Sequence, residues 1–300
     1  MEEPLFTIIL TTFNRKDLLP RAIHSVLNQT FKDFEFLVID NGSTDGTEEV
    51  VQAIKDSRLI FLRNSDPTKS CDAPRNLGIQ LARGKLICFL DDDEMWYPER
   101  LENVRKVFAE DHDVCVVCHN QNIRVNGKIN GQWKCGAPTG KIFDTLLYER
   151  TCLVPGATTI KAELLRELGG FILRKEYDAA ADYDLWLRMA KRGVKMHFID
   201  EALGEFSITG RNLSIVDPYF GGRVAFLIKE HILWHEKKPI FLISKKGMYR
   251  LFQLYFIAGR SLMKAGRYFK ALLYYLKAIF FIVIRPTLVI NIFAKLGALR

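Results

Sequence analysis

Hydrophobic and polar positions follow two alternating periods along the first 119 residues. Short β-branched and apolar runs, typical of strands, occupy residues 7–12, 34–39, 59–62, 86–90 and 114–119. Between them, apolar residues recur every three or four positions, which predicts helices over residues 18–29, 48–55, 73–82 and 98–108. This alternation predicts an α/β fold with a mostly parallel sheet and helices on both faces. Ligands of such a sheet bind at the carboxyl ends of its strands.

The pattern changes after residue 119. Residues 120–160 are irregular and contain several glycines and prolines, and we interpret them as loops with a hairpin near the ligand site. Helical periodicity returns over residues 162–168 and 184–191 and is continuous beyond about residue 220. We therefore predict a main domain over residues 1–220, with parts 1–119 and 120–220, and a helical C-terminal region over residues 221–300.

The composition is that of a folded protein. Hydrophobic residues make up 48% and charged residues 26% of the 300 positions, which argues against a disordered chain. The first apolar run, residues 6–10, is too short for the core of an export signal. The six cysteines are scattered without the spacing of a secreted disulfide framework. These features favour a cytoplasmic protein.

Charge is distributed unevenly along the chain. Residues 1–220 carry 28 Lys and Arg against 33 Asp and Glu, whereas residues 221–300 carry 15 against 2, and no acidic residue follows Glu236. The apolar content of this region is too high for a solvated nucleic-acid face, so we expect no nucleic-acid partner. We expect residues 237–300 to lie peripherally on an anionic membrane, the inner face of the plasma membrane. A helical lid packed on the core is the alternative.

Three adjacent carboxylates, Asp91, Asp92 and Asp93, directly follow the apolar run 86–90. A divalent cation would relieve their mutual repulsion at the end of a buried strand, and hard oxygen ligands suit Mn²⁺ or Mg²⁺. A helix cap is the alternative interpretation, but a cap needs only one Asp. The sequence therefore predicts a metal site at the end of the fourth strand.

Asp40 stands at the end of the second predicted strand. In doubly wound folds an acidic residue at this position often holds a nucleoside, whereas the alternative is that Asp40 merely starts the turn Asn41-Gly-Ser. The sequence contains neither G-x-G-x-x-G nor G-x-x-x-x-G-K-[ST]. Because no glycine-rich loop is available to hold phosphates, a metal ion is the natural substitute.

A series of ordered blocks resembles family 2 glycosyltransferases over roughly residues 5–210. The blocks are, in chain order, Thr11-Thr-Phe-Asn-Arg, Val26-Leu-Asn-Gln-Thr-Phe, Phe34-Glu-Phe-Leu-Val-Ile-Asp-Asn-Gly-Ser-Thr-Asp-Gly-Thr, Arg75-Asn-Leu-Gly-Ile with Ala82-Arg-Gly-Lys, Phe89-Leu-Asp-Asp-Asp, and Gly169-Gly-Phe with Ala181-Asp-Tyr-Asp-Leu-Trp-Leu-Arg. The resemblance implies a GT-A fold, which is the Rossmann-like fold of nucleotide-diphospho-sugar transferases. It also implies sugar transfer with inversion at the anomeric carbon.

The resemblance assigns residues to the nucleotide-sugar donor. It implies that Thr11, Phe13 and Asp40 line the nucleobase pocket and that Arg75 lies near the base or the diphosphate. It further implies that Asp92 lies near the ribose. Residues 1–119 would then be the nucleotide-binding part of a catalytic domain, and residues 120–220 its acceptor part.

The resemblance also assigns the metal ligands and the base. Asp91 and Asp93 would form the D-x-D motif, with Asp93 as the direct ligand of Mn²⁺ or Mg²⁺, and Asp182 would be the general base. The family usually has Glu-Asp where this chain has Ala181 and Asp182, so the companion carboxylate is missing.

We therefore predict an inverting, hexosyltransferase-type glycosyltransferase. It would use a nucleoside-diphosphate sugar, most simply UDP-linked, and would act on a hydroxyl of a cell-surface glycan or lipid-linked saccharide. One alternative is a sugar-phosphate nucleotidyltransferase, which shares a metal–carboxylate site on a similar fold. Such enzymes usually carry a loop rich in Gly and Arg or Lys after the first strand, where this chain has Thr11-Thr-Phe-Asn-Arg-Lys. The other alternative is a non-enzymatic module that binds a membrane or partner through the basic helical region.

Overall fold

The computed structural model describes residues 3–64, 72–137, 140–210 and 212–284. The chain divides into two compact units. The first comprises Met1–Ile142, Thr151–Leu173 and Arg188–Thr209, and the second comprises Phe143–Arg150, Arg174–Leu187 and Gly210–Arg300. Every strand found in the described residues belongs to the first unit. The predicted domain boundary at residue 220 stays a prediction.

The elements alternate as the hydrophobic pattern predicts. The strands are β1 (Phe6–Thr12), β2 (Phe34–Asp40), β3 (Leu59–Arg63), β4 (Leu86–Asp91), β5 (Met95–Trp96), β6 (Val114–Val125), β7 (Lys128–Trp133), β8 (Thr158–Lys161) and β9 (Lys195–Ile208). The helices are α1 (Leu19–Leu27), α2 (Thr47–Gln52), α3 (Asp72–Leu81), α4 (Arg100–Glu110), α5 (Ile142–Tyr148), α6 (Ala162–Glu167), α7 (Ala181–Lys191), α8 (Leu213–Val216), α9 (Phe220–Glu236), α10 (Lys245–Lys264) and α11 (Tyr268–Ile284).

The strands form one mixed sheet in the order β3-β2-β1-β4-β8-β6-β9-β5, with β7 paired to β6. The pairs β1–β2, β1–β4, β2–β3 and β6–β9 are parallel. The pairs β4–β8, β5–β9, β6–β7 and β6–β8 are antiparallel. The predicted α/β class is confirmed, and the half of the sheet formed by β1–β4 is parallel throughout. The second half adds the antiparallel pairs, of which the sequence predicted only the hairpin.

Helices cover both faces of the parallel half. Ile8 of β1 lies in an apolar cluster with buried residues of α1 and α4. Its neighbour Ile9 points to the other face, where a Cβ built on Gly78 of α3 would lie 2.6 Å from the Ile9 side chain. On that same face Phe89 packs edge-to-face against Phe171, with ring centroids 5.3 Å apart. The two-residue period of a strand thus gives each face its own apolar layer.

A buried carboxylate fixes the corner where β4 begins beside β1 and β2. Glu35 accepts hydrogen bonds from Thr7 Oγ1 at 2.6 Å, Arg83 N at 2.6 Å and Arg83 Nε at 2.7 Å. The backbone of Gly84 passes so close to β1 that a Cβ there would lie 2.5 Å from Thr7 N. The block Ala82-Arg-Gly-Lys therefore has a structural explanation: Arg83 neutralises Glu35, and only glycine fits at position 84.

The irregular region was partly misread from sequence. The predicted hairpin is confirmed as β6–β7, whose two-residue turn uses positive φ at Asn126 (49°) and Gly127 (80°). The interpretation of the remainder as loops was wrong for α5 and β8.

Outside this region, strand β9 was also missed, because much of it is exposed and its partner β6 is distant in sequence.

The described residues beyond 220 are helical, as predicted, and α8 adds a short helix before them. Helices α10 and α11 form a hairpin closed at Gly266, which has φ 71°, and Gly259 allows the Tyr275 ring to approach the backbone of α10. None of the described helices combines the length and hydropathy that a bilayer span requires. The part of the predicted membrane segment beyond residue 284 lies outside the described residues.

Candidate active site

Three strand ends bring the predicted donor residues of the first unit together. In the strand register, Thr12 of β1 lies opposite Asp40 of β2, and Thr11 lies opposite Asp91 of β4. Because these strands are parallel, their carboxyl ends share one edge of the sheet. The predicted position of the ligand site at this edge therefore coincides with the place where the polar side chains gather.

Four consecutive carboxylates, Asp91 to Glu94, turn away from the end of β4. The backbone closes the turn through a hydrogen bond from Glu94 N to Asp91 O at 3.0 Å. The residues Asp92, Asp93 and Glu94 are only 6%, 9% and 2% exposed. Carboxylates buried this close together are stable only if protons, arginine side chains or a bound cation offset their negative charge.

Burial is the main reason that the pKa values of Asp92, Asp93 and Glu94 are raised. It raises the pKa of Asp92 to about 7, with the Arg15 charge opposing the shift and the Asp93 and Asp91 charges adding to it. Burial followed by the Asp91 charge raises the pKa of Asp93. Burial followed by the Asp91 and Asp93 charges raises the pKa of Glu94 well above its ordinary range. A ligand that brings positive charge to this cluster would stabilise the ionised form of all three carboxylates.

Two arginines already hold part of the cluster. Arg15 Nη1 lies 3.1 Å from Asp92 and 2.7 Å from Asp93. Arg75, which is 5% exposed, pairs through Nη2 with Asp91 and through Nη1 with Asp72 at 3.3 Å. Arg75 thus lies beside the acidic triplet, and its predicted place near the base or the diphosphate stays a prediction.

Arg15 belongs to the block Thr11-Thr-Phe-Asn-Arg, and the sequence patterns assign it no role in the site. Its partners Asp92 and Asp93 lie 77 and 78 positions further along the chain, so no local pattern could pair them. The available signal was its position just after β1, which places its side chain at the same sheet edge.

The donor set suits a hard divalent cation. The described residues contain no cluster of three or more His, Cys, Asp or Glu side chains arranged to hold a metal ion by themselves. Asp91 and Asp93 nevertheless offer carboxylate oxygens at one turn, which are the ligands that Mn²⁺ and Mg²⁺ prefer, and Mg²⁺ in nucleotide sites commonly takes only one or two carboxylates together with substrate phosphates. The residues therefore fit a cation that arrives with a diphosphate.

Asp40 has the turn-forming role that the sequence left open. Both of its carboxylate oxygens accept a hydrogen bond from Ser43 N, at 3.0 and 3.1 Å, and its side chain is 1% exposed. Arg63 Nε lies 4.0 Å away. These contacts fix the loop after β2 and do not test the predicted contact with a nucleobase.

The remaining donor residues differ in exposure. Thr11 is 8% exposed, whereas the ring of Phe13 is 53% exposed just beyond β1. Asn14 follows with φ 52° and donates its backbone N–H to Ser43 Oγ at 2.8 Å. The loops after β1 and β2 are therefore joined to one another, with the Phe13 ring in solvent.

Asp182 lies in the first turn of α7, within the second unit. Its Oδ1 accepts a hydrogen bond from Tyr183 N at 2.8 Å, and its side chain is half-buried. The helix N-terminus stabilises a negative charge at this position. Two residues on, Asp184 is 2% exposed and lies 2.9 Å from Nε2 of His231. Of the two acids in this turn, Asp182 is the more exposed.

The sequence matches a known protein family over more than half of the chain. The model described as Glycosyl transferase family 2 matches residues 7–169. One relative is the UDP-Glc:alpha-D-GlcNAc-diphosphoundecaprenol beta-1,3-glucosyltransferase WfaP of Escherichia coli, 28% identical over 264 residues, which are 87% of this chain and 95% of WfaP. Another is the putative colanic acid biosynthesis glycosyl transferase WcaA of Escherichia coli K12, 29% identical over 269 residues, which are 86% of this chain and 90% of WcaA.

Solved structures share the fold. Staphylococcus aureus TarS 1-349 in complex with UDP-GlcNAc has a TM-score of 0.62 at 20% identity, covering 91% of this chain and 88% of TarS 1-349. The mannosyltransferase PcManGT from Pyrobaculum calidifontis in complex with GDP-Man and Mn2+ has a TM-score of 0.57 at 17% identity, covering 100% of this chain and 82% of PcManGT. These likenesses confirm the predicted GT-A-type fold. The family match, the fold and the acidic turn after β4 agree, and the chain belongs to glycosyltransferase family 2.

Proposed function

We propose that this glycosyltransferase moves a hexose from a UDP-sugar to a hydroxyl of a lipid-linked saccharide, with a divalent metal and with inversion at the anomeric carbon. The observation that carries the proposal is the buried acidic turn Asp91–Glu94 at the carboxyl edge of β1, β2 and β4. The name of the relative WfaP, which specifies a UDP-Glc donor and a diphosphoundecaprenol acceptor, supports the choice of donor and acceptor.

The donor would lie across the three strand ends. Asp40, Thr11 and the exposed ring of Phe13 would receive the nucleobase, and Asp92, which Thr12 Oγ1 holds at 2.9 Å, would face the ribose. Asp93, supported by Asp91, would hold the Mn²⁺ or Mg²⁺. When bound, this ion supplies the positive charge that stabilises the departing nucleoside diphosphate.

Arg75 and Arg15 would keep the acidic turn in its binding geometry. Arg75 fixes Asp91 from the side of α3, and its guanidinium also stacks 5.6 Å from the centroid of Phe171. Arg15 fixes Asp92 and Asp93 from the loop after β1. These ion pairs would orient the carboxylates before the donor arrives, which lowers the free-energy cost of binding.

Asp182 would serve the acceptor hydroxyl. A carboxylate held ionised at a helix N-terminus can accept the proton that the hydroxyl loses as the new glycosidic bond forms. Attack by that hydroxyl on the face opposite the leaving diphosphate inverts the anomeric centre in a single displacement. What supports Asp182 in this role is that it is half-buried, whereas Asp184 is buried against His231.

A donor screen tests this proposal. Purified protein is incubated with UDP-glucose, UDP-GlcNAc, GDP-mannose and other nucleotide sugars, with Mn²⁺ or with EDTA, and free nucleoside diphosphate is measured. We expect UDP release from one UDP-sugar in Mn²⁺, with a loss of about 10²-fold or more in EDTA and in Asp93→Ala. Asp113→Asn, which alters an exposed acid of the first unit, is the matched control and should keep full activity.

Two outcomes would contradict the proposal. One is UDP release at the same rate in EDTA, which would remove the metal from the account. The other is formation of nucleotide sugar and pyrophosphate from a sugar phosphate and a nucleoside triphosphate, which is the reaction of a nucleotidyltransferase.

A lipid-linked acceptor also implies a peripheral position at the cytoplasmic face of the membrane.

A further inference from the structure

One side of α11 carries large apolar side chains that stay substantially exposed among the described residues. Eight of them are exposed by 42–75%: Tyr268, Phe269, Leu272, Leu273, Leu276, Ile279, Phe280 and Val283. We refer to these eight residues as the α11 apolar face. A surface of this kind costs free energy in water, so an occupant is expected.

The apolar face is continuous along the helix. At about 100° per residue, its members fall within an arc of roughly 140° and extend for about 25 Å. The buried residues Ala271, Ala278 and Phe281 lie on the opposite side and pack toward α10, where Phe281 stacks on Tyr255 with centroids 5.9 Å apart. The apolar face is therefore distinct from the surface that forms the hairpin core.

Cations border this face. Lys270 and Lys277 are seven residues apart and project along one margin of the arc. Lys277 lies 4.9 Å from the ring centroid of Tyr274, and Lys270 Nζ lies 3.1 Å from Tyr219 Oη. Both side chains are thus held by aromatic groups at the edge of the apolar surface, as in helices that lie in a membrane interface.

Helix α10 presents a similar mixture. Phe256, Ile257 and Met263 are 43%, 53% and 41% exposed, and at about 100° per residue they share one side of the helix with the exposed Arg260 and Lys264. The whole sequence has no acidic residue after Glu236. An occupant of this surface meets apolar side chains and positive charge together.

We propose that the α11 apolar face and its bordering lysines dock the protein on the surface of an anionic lipid bilayer, with α11 parallel to the membrane plane. Charge complementarity favours this occupant, because headgroup phosphates neutralise the bordering lysines, whereas the same surface of a second copy would bring the same excess of cations. The inference does not depend on the catalytic proposal, since no residue of the acidic turn takes part.

Vesicle sedimentation of the full chain tests this surface. Vesicles of phosphatidylcholine alone are compared with vesicles that also contain about 30% phosphatidylglycerol, which makes their surface anionic. Both kinds are tested at low and at high salt. We expect at least tenfold stronger binding to the anionic vesicles at low salt, and loss of most of this preference at high salt. The variants are Leu276→Glu on the apolar face and the pair Lys270→Glu with Lys277→Glu at its margin.

Matched controls separate docking from general effects. Ile129→Glu changes a side chain of similar exposure in the first unit, 46% against 53% for Leu276, and Lys106→Glu changes an exposed cation of α4. Both controls should bind vesicles like the wild type, whereas Leu276→Glu and the double lysine variant should bind at least tenfold more weakly. Circular dichroism and nucleotide release without lipid should be the same for all variants, because α11 holds no residue of the proposed catalytic site.

Three results would overturn the proposal. The first is no binding to anionic vesicles at low salt. The second is undiminished binding in Leu276→Glu, which would place the docking surface elsewhere, for example in residues 285–300. The third is a wild-type dimer in sedimentation velocity that Leu276→Glu converts to a monomer without any vesicle binding, which would make a second copy the occupant.

Discussion

The guanidinium of Arg15 lies 2.7 Å from the carboxylate of Asp93, and the same Nη1 atom reaches Asp92 at 3.1 Å. One cation therefore bridges two of the three buried acids of the turn after β4. Because Asp93 is also the proposed metal ligand, Arg15 and a divalent cation neutralise the same charge. This relation leads to a direct prediction about stability.

Arg15→Gln should lower the free energy of unfolding by about 2 kcal/mol at pH 8, because it leaves two largely buried carboxylates without their bridging cation. Addition of Mn²⁺ should raise the melting temperature of Arg15→Gln more than that of the wild type, since the metal replaces the missing charge. Thermal unfolding with and without Mn²⁺ measures both effects. Arg105→Gln, which removes a partly exposed partner of Glu102, is the control. Equal Mn²⁺ shifts in wild type and Arg15→Gln would contradict a metal at this turn.

Asp40→Asn should separate the turn-forming role of Asp40 from its proposed contact with the nucleotide. The amide keeps one acceptor oxygen for Ser43 N, so we expect a small loss of stability, about 1 kcal/mol. Affinity for UDP should fall about tenfold or more, because a hydrogen bond to a charged group is replaced by a weaker one. Calorimetric titration with UDP and Mn²⁺ measures the affinity.

The control for this prediction is Asp56→Asn. Asp56 also accepts a backbone hydrogen bond in a turn, from Arg58 N at 3.0 Å, and its substitution should leave UDP binding unchanged. If Asp40→Asn binds UDP like the wild type, only the turn-forming role remains.

Stability should depend on pH through Glu35. Burial opposes its ionisation, but hydrogen bonds from Thr7 and from the backbone and side chain of Arg83 outweigh burial and hold its pKa below the ordinary 4.5. The folded state thus binds fewer protons than the unfolded state. The contribution of Glu35 is therefore present above about pH 4.5 and is lost as the pH falls through the lowered pKa.

Glu35→Gln provides the measurement. It should cost about 2 kcal/mol at pH 7, and the difference from the wild type should shrink as the pH falls below about 4. Denaturant unfolding at several pH values follows this change. Glu102→Gln, at an exposed ion pair, should alter stability little at any pH. A loss in Glu35→Gln that is the same at pH 3 and pH 7 would mean that its charge is not what stabilises the corner.

The parallel half of the sheet and the acidic turn could be predicted because their signals are local. Strand β4 is a continuous apolar run, and Asp91, Asp92 and Asp93 follow it directly. Strand β9 could not be predicted in the same way, since the first eight of its 14 residues are exposed or half-buried and its main partner, β6, is distant in sequence. Arg15 shows the same limit for the site, because its contacts are made across 77 and 78 residues. Sequence patterns of one period do not record such long-range pairing.

The most direct test of the account is the turnover of Asp182→Asn together with the anomeric configuration of the product. The amide keeps the shape and much of the capping ability of Asp182 but cannot accept a proton, so kcat should fall by about 10²–10⁴-fold while donor affinity changes little. Asp113→Asn should retain the wild-type kcat. By NMR, the transferred sugar should show the configuration opposite to that in the donor. A kcat for Asp182→Asn within about threefold of the wild type, or a product that retains the donor configuration, would contradict the proposed mechanism.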